Sequence, residues 1–119
     1  MPKLRVRNQT KNTSLGDTVG IADTSATRRT GLLKHSRLEP GEGLWIAPSE
    51  AVHTFGMKFP IDVLFLDKKR KVLKIKNEMQ RSRMAICLRA HSVLELPSGT
   101  AAAMRTTVGD QLEFEKFDD

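Results

Sequence analysis

The stretch Val52-His-Thr-Phe-Gly-Met-Lys-Phe-Pro-Ile-Asp-Val-Leu-Phe-Leu-Asp67 decides the fold class of this chain. Its second half, Ile61 to Leu66, has the β-branched and aromatic content of a strand, yet it carries an acid near its start. Alternation along a strand puts Ile61, Val63 and Phe65 on one face and Asp62, Leu64 and Leu66 on the other. Both faces are apolar, so the strand is expected to be covered on both sides, and the Asp62 carboxylate then needs a partner inside the protein. Backbone N–H groups of a neighbouring turn would serve, as would the cation of Lys58 or Arg29. Asp62 is either a fixture of the fold or the centre of a site.

Downstream of this strand, Asp67-Lys-Lys-Arg-Lys71 reads as a polar hairpin connection. It leads into a strand in which Leu73, Ile75 and Asn77 alternate with Val72, Lys74 and Lys76. Upstream, Val52 to Met57 reads as a strand weakened by Gly56, and Gly43 to Ala47 as a short apolar strand ended by Pro48. Leu4, Val6 and Asn8 alternate with Arg5, Arg7 and Gln9, which gives a half-exposed first strand. Gly16-Asp17 supports a turn, with Val19 to Ala22 as a second strand or a lead-in to a helix. Asp23, Thr24 and Ser25 offer capping oxygens to a helix near 24–35, anchored by Leu32 and Leu33. The polar, basic stretch 77–85 shows no steady period and reads as a loop. Val93 to Pro97 is a strand, Ser98 to Met104 a short helix and Gln111 to Glu115 the closing strand. The expected architecture is mainly β (α+β), a compact antiparallel sheet or small barrel with one or two short helices, in a single domain over 1–119.

Hydrophobic residues make up 39% of the 119 residues and charged residues 29%, which excludes intrinsic disorder. No apolar run approaches the ~20 residues of a membrane-spanning helix, so no membrane span is expected. Met-Pro-Lys-Leu-Arg-Val-Arg at the N-terminus has no apolar signal core, and the expected location is cytoplasmic. The single cysteine, Cys87, permits no intrachain disulfide and reads as a small hydrophobe between Ile86 and Leu88. The net charge of +6 is concentrated, with nine Lys or Arg between 68 and 91 against one acid, Glu78. Such a stripe can contact phosphates by counterion release. A basic module that binds nucleic acid or another acidic partner through 68–91 is therefore the alternative function.

Five ordered blocks carry a resemblance: Arg29-Thr-Gly-Leu-Leu33, Gly43-Leu-Trp-Ile46, His53 to Asp67, Val93-Leu-Glu-Leu-Pro-Ser-Gly99 and Val108-Gly-Asp110. Over about residues 20 to 115 the chain resembles the domain of unknown function 192 family, also called uncharacterised protein family 0127. The resemblance implies a small, mostly β bacterial or archaeal domain of unassigned activity, in a family many of whose members carry an export signal or lipoprotein anchor. The chain differs from the family's pattern in carrying Leu33 where methionine is frequent after Gly-Leu. It also has His-Thr-Phe-Gly-Met where other members read closer to Phe-Trp-Met-Lys-Asn-Thr, so His53 is not a general requirement of the family.

The awkward residues fall in the same blocks as the aromatics. Glu95 shares a strand face with Val93, while Leu94 and Leu96 take the other, so it points to solvent, to a pocket, or to a polar site shared with Asp62. Trp45, Phe55, Met57 and Phe59 are candidates for an apolar pocket wall or for core packing. His53, His91, Asp62 and Glu95 include the ligand types of a metal centre but lack any recognised ligand spacing, so no metal or other cofactor is expected. No nucleophile elbow, Walker, Rossmann or zinc-protease signature is present, which leaves the enzyme question open. The expected site is a cleft formed by Arg29, Trp45, His53, Asp62 and Glu95 that binds a small molecule or peptide.

Overall fold

The computed structural model describes residues 1–118; Asp119 lies outside the described residues. Among the described residues the elements run β1 (Pro2–Asn8), β2 (Thr13–Ala22), α1 (Ser25–Thr30), β3 (Glu42–Ile46), β4 (Ala51–His53) and β5 (Ile61–Leu66). They continue with β6 (Val72–Met79), β7 (Met84–Ile86), β8 (Ser92–Pro97), α2 (Thr100–Ala103) and β9 (Leu112–Asp118). Seven strands form one sheet in the order β6-β5-β8-β3-β2-β1-β9, and β4 and β7 form a separate two-stranded ribbon. The fold is mainly β, as the strand-rich sequence implies. One pairing, β2 with β3, is parallel, so the sheet is mixed rather than wholly antiparallel.

The sheet curls until its outer strands meet at one end. Lys71 bridges to Gln111, the Val72 N–H donates to the Asp110 carbonyl at 2.9 Å, and the Leu112 N–H donates to the Arg70 carbonyl at 3.0 Å. Inside this partly closed barrel, Leu4, Val6, Leu15, Val19, Leu64, Leu66, Val72, Leu94, Leu96 and Leu112 pack together with Ala101 of α2. A second core lies on the outer side, where Ile61, Val63, Phe65 and Val93 pack with Leu32, Val52, Met57 and Ala85. All six residues of β5 are buried, as an apolar run without alternation requires.

Several local readings need correction. The turn expected at Gly16-Asp17 is absent, because β2 runs through it. A Cβ on Gly16 would stand 2.8 Å from Val19 Cγ2 and 3.0 Å from the Gly41 carbonyl oxygen, so this glycine permits close approach rather than a change of direction. The helix expected over 24–35 stops at Thr30. Thr24 caps it by accepting from the Thr27 N–H at 3.1 Å, while Thr27 Oγ1 accepts from the Thr24 N–H at 3.0 Å, and Gly31 ends it at φ 49°. Beyond that end Leu32 is buried but Leu33 is exposed, so only one leucine anchors the segment. The strand expected over Val52 to Met57 is confined to β4. Thr54 then turns inward, where its hydroxyl donates to the Gln80 carbonyl at 2.6 Å and accepts from the Arg83 N–H at 2.9 Å. The stretch 77–85, read as a loop, contains the end of β6 and the start of β7 around that tie.

At the barrel seam, the buried Asp110 carboxylate accepts from Asn8 Nδ2 at 2.9 Å, Lys11 Nζ at 2.8 Å and the Thr107 N–H at 3.0 Å. Burial alone would raise its pKa, but these hydrogen bonds and the Lys11 charge outweigh it and bring the carboxyl from 3.8 to about 2. The folded value lies below the unfolded one. The network's pH-linked stability is therefore fully present above the ordinary value of 3.8 and is lost as pH falls through about 2. Asp110→Ala is expected to cost about 2–3 kcal/mol in urea unfolding at pH 7 and to shrink the acid destabilisation in that window. An unchanged acid profile would contradict this assignment.

Candidate functional site

The pairing of β5 with β8 sets the geometry of the site. Val63 lies opposite Glu95 and Asp62 opposite Leu96, and residues opposite one another point the same way. Asp62 therefore faces the barrel interior beside Leu96, whereas Glu95 faces outward beside Val63. The two carboxylates sit on opposite faces of one sheet, and the expected shared cleft does not form. Trp45 lies opposite Leu94, so it too belongs to the inner face, where its ring meets Phe114 edge-on at 5.3 Å.

Asp62 is fully buried, and its partners are backbone groups. Oδ1 accepts from the Glu78 N–H at 2.8 Å and the Gly99 N–H at 3.2 Å, and Oδ2 accepts from the Ala101 N–H at 2.8 Å. Of the partners expected for Asp62, the backbone N–H groups are the ones present, in place of the Lys58 or Arg29 cation. Asp62 thus ties the start of β5 to the end of β6 and to α2.

Glu95 is the residue with an open chemical question. It is 5% exposed, and among the described residues no side chain or N–H donates to its carboxylate. Burial pushes its carboxyl up from 4.5 to about 7, so near neutral pH the uncharged form, which has a donor O–H as well as an acceptor oxygen, is well populated. Its backbone is held tightly, since a Cβ on Gly43 of β3 would stand 2.7 Å from the Glu95 carbonyl oxygen.

Over Glu95 lies a cavity of about 130 Å³, bounded by Arg28 and Arg29 of α1, Leu32, Ile46, Pro48, Ser49, Val52 and His53 of β4, and Met57. The Thr24 cap sets the start of α1 and so places Arg28 and Arg29 in its last turn. His53 is exposed at the rim, stacked on the exposed Phe55 ring with centroids 5.5 Å apart. Arg28, Arg29 and His53 are the ionisable groups that share the lining with Glu95.

Of the five residues expected to form one cleft, Arg29, His53 and Glu95 line this cavity, and Asp62 and Trp45 lie on the other side of the sheet. Met57 lines it as well, whereas Phe59 packs in the outer core. Arg28, Pro48 and Ser49 were not singled out from the sequence. Arg28 repeats its neighbour's charge, and Pro48-Ser49 reads as an ordinary strand end. His91 lies near Trp45, with ring centroids 6.5 Å apart, away from the Glu95 cavity. Among the described residues no group of three His, Cys, Asp or Glu side chains could hold a metal ion.

The basic run 68–91 does not form one uniform stripe. Arg70 is folded over Phe114 at 4.4 Å, Lys74 Nζ donates to the Ile86 carbonyl at 2.9 Å, and Lys68, Lys69, Lys71, Lys76, Arg81, Arg83 and Arg89 are exposed. No helix among the described residues is long and apolar enough to cross a membrane.

A partly closed, mostly β barrel with a covered outer face and a polar cavity under its crossover defines the structural class. Residues 6–114 match the family model DUF192, described as an uncharacterized ACR, and the chain belongs to that family. A UPF0127 protein of Thermococcus sibiricus (strain DSM 12597 / MM 739) is 31% identical over 116 residues, covering 91% of this chain and 73% of that protein. A Novosphingobium aromaticivorans DSM 12444 protein of unknown function has a similar crystal structure, with a TM-score of 0.80 and 22% identity over 95% of this chain and 84% of the other. A Sinorhizobium meliloti 1021 protein, provisionally called a transcription regulator, superposes with a TM-score of 0.83 and 20% identity, covering 96% of this chain and 94% of the other. At these identities the two structures establish the fold alone.

Proposed function

We propose that this protein binds a small ligand, or one side chain of a peptide, in the cavity over Glu95. The observation that carries this reading is a buried carboxylate with no partner of its own facing an open space of about 130 Å³. The Glu95 side chain is largely withdrawn from water yet lines the cavity, so its carboxyl oxygens are free to take a hydrogen bond from a ligand there. Ile46, Val52 and Met57 give the cavity apolar walls, while Arg29 and His53 flank its rim. The space suits a group no larger than about a benzene ring, a size that a cavity near 150 Å³ is able to hold.

A panel of small amines, amidines and primary amides, tested by thermal shift, checks the reading. Some members are expected to raise the wild-type melting temperature and to lose that effect with Glu95→Gln. If no compound distinguishes the two proteins, the cavity is not a binding site. The alternative, a basic module for nucleic acid, draws on Lys68, Lys69 and Lys71 at the β5–β6 hairpin. The packing of Arg70 and the tie of Lys74 weigh against it, because these cations already serve the fold.

A further inference from the structure

Beside the Glu95 cavity runs a groove of about 590 Å³ whose lining includes Arg28, Ser49, Lys68, Arg89 and His91. The cavity and the groove share Arg28, Pro48 and Ser49, so the two spaces lie side by side. The groove's basic residues come from separate segments: the cations Arg28 from α1, Lys68 from the β5–β6 hairpin and Arg89 from the β7–β8 connection, with the His91 imidazole beside Arg89. One carboxylate, Glu50, lies among them. Among the described residues, none of these side chains takes part in an ion pair. Arg28 Nη1 donates to the Pro48 carbonyl at 3.2 Å, but its Nε is buried without any partner. That N–H donor is left unused in the wall between the two spaces.

We propose that this groove is an anion subsite, which receives a phosphate or carboxylate group of the ligand whose other end enters the Glu95 cavity. The proposal rests on the cavity reading for the second half of the ligand only; the anion site stands on its own cations. Guanidinium groups suit planar and tetrahedral oxyanions through paired N–H donors, and Lys68 adds a point charge. The ligand class is then a small molecule with an anionic group at one end and a hydrogen-bond donor at the other.

Titration of the full chain with inorganic phosphate and, separately, with acetate at low ionic strength, followed by backbone amide chemical shifts, tests the groove. Shifts centred on Arg28, Lys68, Arg89 and His91 are expected with at least one of the anions, and the preferred anion tells phosphate from carboxylate. The double variant Lys68→Ala/Arg89→Ala, altered at two exposed positions, is expected to bind about tenfold more weakly, a loss of about 1.4 kcal/mol. Glu95→Gln is expected to bind the free anion as the wild type does, so failure of the cavity reading and failure of the groove are seen separately. Absence of binding to both anions, or equal affinity in the double variant, overturns the proposal. Much tighter binding of a single-stranded oligonucleotide than of phosphate at equal phosphate concentration overturns the small-ligand assignment and points to a polymer instead.

Discussion

Asp62→Ala is expected to lower the unfolding free energy by about 3–5 kcal/mol, among the largest effects of any single substitution in this chain. The carboxylate accepts three backbone N–H bonds, from Glu78, Gly99 and Ala101, in a fully buried position. Alanine leaves those donors without their acceptor, and the Ala101 N–H is left so in a buried position. Asp62→Asn is expected to recover only part of the loss, since its amide nitrogen would face N–H groups that need an oxygen. Chemical denaturation at pH 7 measures both variants. If Asp62→Ala stays within about 1 kcal/mol of the wild type, the tie between β5, β6 and α2 is not what holds that end of the barrel.

Glu95→Gln acts in the opposite sense. The folded carboxyl titrates near 7 and the unfolded one near 4.5, so between these values the folded state binds more protons than the unfolded state. Stability therefore falls as pH rises through that interval, by about 3 kcal/mol in all if the whole shift is expressed. Arg28, Arg29 and His53 line the same cavity from α1 and β4, but none hydrogen-bonds or ion-pairs with this carboxylate among the described residues, and burial alone sets the direction of its shift. Glutamine keeps the shape of the neutral acid and carries no charge to desolvate. The variant is expected to match the wild type below about pH 4 and to exceed it by about 3 kcal/mol at pH 8, with a flatter stability profile between. Urea unfolding midpoints across that range give the readout. Parallel profiles for the two proteins would show that Glu95 is not penalised by its surroundings.

The contrast between these carboxylates explains what the chain discloses before its fold is known. The two-sided burial of Ile61 to Leu66 is legible because a strand covered on both faces needs an apolar run, and the acid within it announces a specific partner. Strand alternation also separates Glu95 from Leu94 and Leu96. What alternation does not supply is the register of β5 against β8, and that register puts Asp62 inside and Glu95 outside. Without it, two acids in apolar strands look alike, and a common cleft with Trp45 is the natural expectation. The short span of α1 was hidden for a related reason: the apolar residue Leu33 continues a helical pattern that Gly31 breaks. Gly16 looked like a turn because glycine serves tight bends and close contacts equally well, and only the packing of Val19 and Gly41 tells them apart.

The parallel pairing of β2 with β3 has a last consequence. Parallel neighbours cannot be joined by a hairpin, so the chain must leave the sheet after Ala22 and return at Glu42. Much of the ceiling above Glu95 is that detour, anchored at each end by a strand in the barrel wall. Substitutions along this detour can therefore reshape the space over Glu95 while the strands beneath keep their alignment.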